Sequence, residues 1–339
     1  MRKILIVAPN WIGDALLAQP LFARLHDKHP DLIIDALAPP WTAPVLRRMP
    51  QVREVIDAPF GHGELRLGER QRLARSLRAR GYDEAIVLPN SFKSALIPAF
   101  ARIPRRTGFV GELRYGLLNR VHRLDGTRLP LMAERYAQLA EEPGADPLRP
   151  LARVRLRVDA GNLSKVLSEL GLSRAQRIAA FCPGAEYGPS KRWPARYFAA
   201  LATRLAKDGY AVWLFGSAKD AEVGDEIARL AQGAASNLCG RTDLEGAVDL
   251  LSLAEIVVSN DSGLMHVAAA VGRPVVALYG SSSPEHTPPL ARVFRIVRTG
   301  IDCSPCYARE CPLGHFKCMN ELLPERVLEE IAAAEAGEG

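Results

Sequence analysis

No stretch of this sequence approaches the roughly 20 consecutive apolar residues that a membrane-crossing helix needs. The apolar run that follows Met1-Arg2-Lys3 ends at Ala8, too short for a secretory leader, and passes directly into polar residues, so a cytoplasmic location is expected. Repeats with a period of 20–50 residues are missing, as are low-complexity tracts, which excludes a solenoid or a propeller. Aromatic residues make up only 6% of the chain and do not interleave with its arginine clusters, which weakens any case for stacking on nucleic-acid bases. The turn after the first strand carries only Gly13, where a dinucleotide fold has Gly-x-Gly-x-x-Gly, and this counts against a nicotinamide-dependent dehydrogenase.

A chain of 339 residues exceeds the size at which one core keeps growing, so two domains are expected. A hydrophobic content of 48% suits a globular protein. Charge is unevenly distributed. Residues 1–150 hold 23 Lys and Arg against 16 Asp and Glu, and the remainder is slightly acidic, so the net charge of +6 lies in the N-terminal half. Arg66, Arg70, Arg72, Arg75, Arg78 and Arg80 form one cluster, and Arg102, Arg105 and Arg106 a second. Such one-sided charge marks either a solvated helix face or a surface for an anionic partner, whether membrane, phosphorylated glycan or nucleic acid.

In chain order, residues 3–9 read as a buried strand, 10–14 as a turn, and 15–25 as one helix kinked by Pro20. Strands follow at 32–37, 54–58 and 83–88, the last two separated by the arginine helix. Residues 104–150 read as loops with one short helix near 131–141, and Glu142–Pro150 is the best linker. The second half repeats the rhythm: strands at 178–182, 211–215, 255–259 and 274–279, a short one at 237–240, and helices at 195–207, 221–231 and 244–254. Alternation of this kind indicates parallel α/β sheets.

The stretch Val257-Val258-Ser259-Asn260-Asp261-Ser262-Gly263-Leu264-Met265-His266 reads as a strand end, a polar turn and the first turn of a helix. In a parallel sheet ligands bind at such a junction, and the helix start can receive a phosphate. Asp261 or Ser262 either caps that helix or faces a ligand. Lys191 and Arg192, in the long loop after residue 182, suit a diphosphate as a point charge and a planar fork, or else form a solvated surface pair. Asp220 is spaced to bind a ribose hydroxyl. Asp14, at the start of the first helix, is either a cap or a carboxylate that takes a proton from an incoming hydroxyl. Trp11, in a tight turn, must find something to cover.

Three motifs together carry a resemblance. Asn10-Trp11-Ile12-Gly13-Asp14-Ala15, then Pro183-Gly184-Ala185 with Lys191-Arg192-Trp193-Pro194, then Asn260 to His266 resemble the glycosyltransferase family of bacterial lipopolysaccharide heptosyltransferases, from residue 3 to about 330. Residues 8–14, with Cys303-Ser304-Pro305-Cys306 and Cys311-Pro312-Leu313-Gly314-His315, are most similar to the branch that adds the second heptose. The resemblance implies an α/β GT-B fold, two Rossmann-like domains facing across a cleft. Residues 1–155 would bind the acceptor and 156–339 the donor, with the last helix able to cross back. It implies transfer of L-glycero-D-manno-heptose from ADP-heptose to the first heptose on Kdo2-lipid A, forming an α-1,3 linkage with inversion. It makes Asp14 the general base, Lys191 and Arg192 the diphosphate ligands, Asp261, Ser262, Gly263 and His266 the donor motif, and Asp220 the ribose ligand. Asn10, Trp11, Gly13, Arg66 and Arg70 would meet the acceptor, and the basic half would rest on the anionic inner membrane surface. The expected protein works without a cofactor or metal, since no Asp-x-Asp pair stands in these loops to bridge a divalent ion, and it has no nucleic-acid partner.

Cys303, Cys306, Cys311 and Cys318 follow the pattern Cys-x2-Cys-x4-Cys-x6-Cys, with His315 among them. In a reducing compartment they are either a small zinc site or a reduced, packed cluster at the donor-site rim. Two other functions stay open: a GT-B transferase with a different acceptor, and a nucleotide-sugar-binding protein without turnover.

Overall fold

The computed structural model describes residues 1–61, 64–174 and 177–337. The chain divides into two compact units, Met1–Val154 and Arg155–Gly339. Unit 1 runs β1 (Lys3–Val7), α1 (Ile12–Leu17), α2 (Gln19–Lys28), β2 (Ile33–Ala38), α3 (Ala43–Arg47), β3 (Glu54–Asp57), α4 (Leu67–Arg78), β4 (Glu84–Val87), α5 (Phe92–Phe100), β5 (Arg105–Phe109), β6 (Arg120–His122) and α6 (Met132–Gln138). Unit 2 runs α7 (Ala160–Leu170), β7 (Arg177–Cys182), α8 (Ala195–Lys207), β8 (Tyr210–Leu214), α9 (Ala221–Leu230), β9 (Ala235–Asn237), α10 (Leu244–Leu251), β10 (Ile256–Asn260), α11 (Gly263–Ala270), β11 (Val275–Leu278), β12 (Phe294–Val297), α12 (Lys317–Asn320) and α13 (Pro324–Glu335).

Each unit holds a six-stranded parallel sheet, ordered β3-β2-β1-β4-β5-β6 and β12-β11-β10-β7-β8-β9. Both are the doubly wound order in which a unit's first strand lies beside its fourth. The winding reverses between β1 and β4 in unit 1 and between β7 and β10 in unit 2. At each reversal the loops beyond the carboxyl ends diverge and leave a crevice. The central strands are covered on both faces, so they read as unbroken apolar runs: Ile4, Leu5 and Ile6 of β1 and Ile256, Val257 and Val258 of β10 are fully buried.

Two expectations need correction. The helix expected over 15–25 is two helices, α1 and α2, that meet at Ala18. Pro20 sits in the first turn of α2, where its missing N–H costs nothing, so it begins a helix rather than kinking one. Residues 104–150, read as loops around one helix, also contain β5 and β6. The sequence Arg-Arg-Thr-Gly-Phe conceals β5, because Arg105 on β5 and Arg120 on β6 reach the buried Glu84 at the start of β4, at 3.9 and 3.7 Å. Arg2 joins them at 2.5 Å, and Thr107 donates its hydroxyl to the same carboxylate. In unit 2, α13 packs on β10, β11, β12 and α8.

Much of the arginine charge is satisfied internally. Arg80 pairs with Glu54 at 2.7 Å, Arg78 donates to the Phe100 carbonyl, and Arg106 donates to the carbonyls of Ile103 and Leu117.

Candidate active site

In unit 1 the crevice between the ends of β1 and β4 is lined by Asn10, Pro39, Phe60, Arg70, Ser91 and Lys93 among others. Asp14 lies in the first turn of α1 and is half-buried. The N-cap position belongs to Trp11, whose side chain makes no cap hydrogen bond. Asp14 faces α6, where the phenol of the buried Tyr136 is held well above its ordinary pKa by burial first and the Asp14 charge second. Gly13 lies inside α1, and the Asn10 carbonyl accepts the Trp41 indole N–H at 2.7 Å. Trp11 is 45% exposed. Arg66 is exposed and pairs with Glu69 at 2.5 Å. Arg70 is buried: it donates to the carbonyls of Leu65 and Glu64 and stacks 4.2 Å from the centre of the Phe60 ring. Its guanidinium therefore ties down the loop before α4 as well as edging the crevice.

In unit 2 the crevice loops after β7 and β10 are joined by Asn260, the buried last residue of β10. Its side-chain amide donates to the Pro183 carbonyl at 2.7 Å and accepts the Trp193 N–H at 3.1 Å. This clamp brings the 3-10 turn Pro189–Lys191 against the start of α11. Lys191 Nζ donates to Asp261 Oδ2 at 2.5 Å, and Ser282, after β11, donates its hydroxyl to the same oxygen at 2.5 Å. Asp261 is thus engaged with Lys191 and Ser282. Ser262 holds the N-cap position of α11 without a side-chain cap hydrogen bond, and Gly263 begins the helix. A ligand oxyanion set there would meet first-turn N–H groups and the positive end of the helix dipole. His266 is buried one turn further on. Burial first, with the Lys191 charge adding and Asp261 opposing, lowers its pKa to about 4, so the imidazole is neutral at ordinary pH. Arg192 is exposed.

Asp220 belongs to the neighbouring 3-10 turn, Ala218–Asp220, after β8. Its Oδ2 accepts both the N–H and the hydroxyl of Ser217, at 2.9 and 2.8 Å. The carboxylate packs against Gly184: a Cβ there would lie 2.5 Å from Asp220 Cγ. Glycine at 184 is what lets the loop after β7 approach this group.

The four C-terminal cysteines line a small cavity with Ser190, Ser281 and His315. Among the described residues no three His, Cys, Asp or Glu side chains are grouped to hold a metal ion. Cys303 and Cys306 face solvent, and Cys318 is buried on α12. The Cys311 thiol accepts the Phe316 N–H at 3.4 Å, which with neighbouring amides lowers its pKa. All six cysteines are free thiols.

Asn260, Ser282 and Tyr187, whose ring centre lies 4.9 Å from Lys191 Nζ, were missed as site residues. Asn260 and Ser282 flank the motif residues in sequence or in the sheet, and polarity at a strand's carboxyl end was the available signal. Tyr187 had no such signal.

Two doubly wound units in one chain, the second carrying a lysine–aspartate pair beside an open helix start, are the build of a GT-B glycosyltransferase. Residues 70–317 match the model for glycosyltransferase family 9 (heptosyltransferase), and the chain belongs to that family. It is 48% identical to lipopolysaccharide heptosyltransferase 2 of Salmonella typhimurium, covering 99% of each chain, and 48% identical to the Escherichia coli K12 protein of the same name, covering 98% of each. The solved structure of E. coli ADP-heptose lps heptosyltransferase II superposes with a TM-score of 0.89 at 46% identity, over 100% of this chain and 99% of that one.

Proposed function

We propose that this protein moves L-glycero-D-manno-heptose from ADP-heptose to the first heptose of heptosyl-Kdo2-lipid A, forming an α-1,3 linkage with inversion. The observation that carries this is the Lys191–Asp261–Ser282 cluster at the unit 2 reversal point, in a chain 48% identical over its length to two enzymes named lipopolysaccharide heptosyltransferase 2. Unit 2 binds the donor. The α11 N-terminus and Lys191 receive the diphosphate, and Asp220 takes a ribose hydroxyl. Unit 1 binds the acceptor in the crevice edged by Asn10, Arg70 and Lys93.

Inversion is a single displacement. The acceptor oxygen forms a bond to the anomeric carbon, and the bond from that carbon to the diphosphate oxygen breaks. The electron pair leaves on ADP, and the acceptor proton passes to the Asp14 carboxylate. Fixed N–H groups and cations offset the charge that builds on the leaving group, so no metal is required.

The protein works in the cytoplasm, peripherally on the inner membrane surface. Among the described residues no helix is long and apolar enough to cross a membrane. Leu65 and Leu67 at the start of α4, Phe92 at the start of α5, and Leu113 and Tyr115 in the loop after β5 are all exposed beyond the carboxyl ends of the unit 1 strands. The acceptor's lipid and the basic charge of unit 1 suit the same anionic surface. His62 and Gly63, in the loop expected to meet the acceptor, lie outside the described residues.

Titration calorimetry with ADP, UDP and GDP in EDTA tests the donor half. ADP should bind at least tenfold more tightly than the other two, with no change on adding Mg2+. Equal affinities, or affinity only with Mg2+, would remove ADP-sugar recognition without a metal.

A further inference from the structure

The loop that carries the four cysteines has no part in the function as derived so far. Its residues 304–309 run along the donor crevice and are sewn to it. Ser304 donates its hydroxyl to the Gly280 carbonyl at 2.6 Å, and the Tyr307 N–H donates to the Ser281 carbonyl at 2.7 Å. Tyr187, in the loop after β7, donates its hydroxyl to the Tyr307 carbonyl at 2.6 Å. Ser190 donates its N–H to the Arg309 carbonyl at 3.2 Å. The approach is closest at Gly188, where a Cβ would lie 2.4 Å from that same carbonyl oxygen.

The loop thereby sets Arg309 beside the crevice. Its guanidinium carbon lies 5.4 Å from the centre of the Tyr187 ring, and Lys191 Nζ lies 4.9 Å from the same centre. Arg309 is exposed and makes no ion pair among the described residues. Charge decides what this means. Lys191 is matched by Asp261 at 2.5 Å, and Lys219 by Glu186 at 2.5 Å. His266 is neutral. Both lysines therefore share their charge with carboxylates, so a doubly ionised leaving group gains from a further cation beside Lys191 and Arg192. Two cations on one aromatic ring also repel each other, and an anion between them relieves that cost.

We propose that Arg309 is a diphosphate-binding residue of the donor site, delivered by the cysteine loop and oriented by the Tyr187 ring; this rests on the reading of unit 2 as the ADP-sugar unit. The planar fork of Arg309 suits two phosphate oxygens of the leaving group.

Affinities of ADP and of adenosine for the full chain test this. Arg309→Ala should weaken ADP by roughly 10-fold or more, in line with loss of a charge-assisted contact, and leave adenosine unchanged. Arg309→Lys should restore part of the loss. Unchanged ADP affinity in Arg309→Ala, or adenosine affinity falling in step with ADP, would overturn the assignment, since a loop with a merely structural role would lower both together. A wild-type chain without affinity for ADP would overturn the donor reading of unit 2 and this proposal with it, whereas tight wild-type binding indifferent to Arg309 overturns this proposal alone.

Discussion

Asp14→Asn lowers the rate of heptose transfer by roughly 10²–10⁴-fold, the usual contribution of a positioned general base, and leaves ADP affinity within about twofold. The substitution keeps the size of the side chain and removes its capacity to take a proton. Asp14 sits on α1 of unit 1, whereas the residues assigned to ADP lie in unit 2, so binding and chemistry separate cleanly. Trp11 and not Asp14 holds the N-cap position of α1, and the melting temperature of the variant checks its fold. Stopped turnover with intact ADP binding supports the assignment. Residual transfer above a tenth of wild type would place the base elsewhere. In wild type the pH profile should show no inflection near 6.5 from His266, because burial and then the Lys191 charge hold its pKa at about 4.

Lys191→Ala has the second large effect, and it has two parts. The donor loses a cation at the diphosphate, and ADP affinity should fall by roughly 10- to 100-fold. Asp261 also loses its charged partner while remaining buried, with Ser282 as its other hydrogen-bond donor on that oxygen. Leaving one member of a buried pair uncompensated typically costs about 3–5 kcal/mol, so a large drop in melting temperature is expected. The double variant Lys191→Met with Asp261→Asn separates the parts: it should recover most of the melting temperature and none of the ADP affinity. Recovery of both would make the pair a structural feature with no role in binding.

The parallel architecture was legible because central strands of a covered sheet must be apolar throughout, as in Ile4–Val7 and Ile256–Val258. Strands farther out in the sheet are less constrained. Arg105 and Arg106 mask β5, and Glu84, the partner of Arg105, lies 21 residues earlier, so the pairing that makes an arginine-rich strand stable is invisible locally. The loop after β10 stood out because a polar cluster between a buried strand and a helix has little to do except meet a ligand or cap the helix. Asp261 does not hold the N-cap position, which belongs to Ser262, and its carboxylate holds Lys191 across 70 residues of sequence. Asn260 was overlooked as a clamp because its two partners, Pro183 and Trp193, belong to another loop. Arg309 was overlooked for a related reason. Its neighbours Cys306 and Cys311 drew the reading toward metal ligands, and only the packing of the loop against Tyr187 and Ser190 shows which way the segment faces.

The central claim is heptose transfer to a heptosylated inner core, and ADP release measured across a matrix of donors and acceptors in EDTA tests it most directly. Release is expected with ADP-heptose and heptosyl-Kdo2-lipid A together, and not when ADP-glucose, UDP-glucose or GDP-mannose replaces the donor or Kdo2-lipid A replaces the acceptor. Equal release with Kdo2-lipid A would assign the enzyme an earlier acceptor, and no release with any donor would contradict the transfer itself.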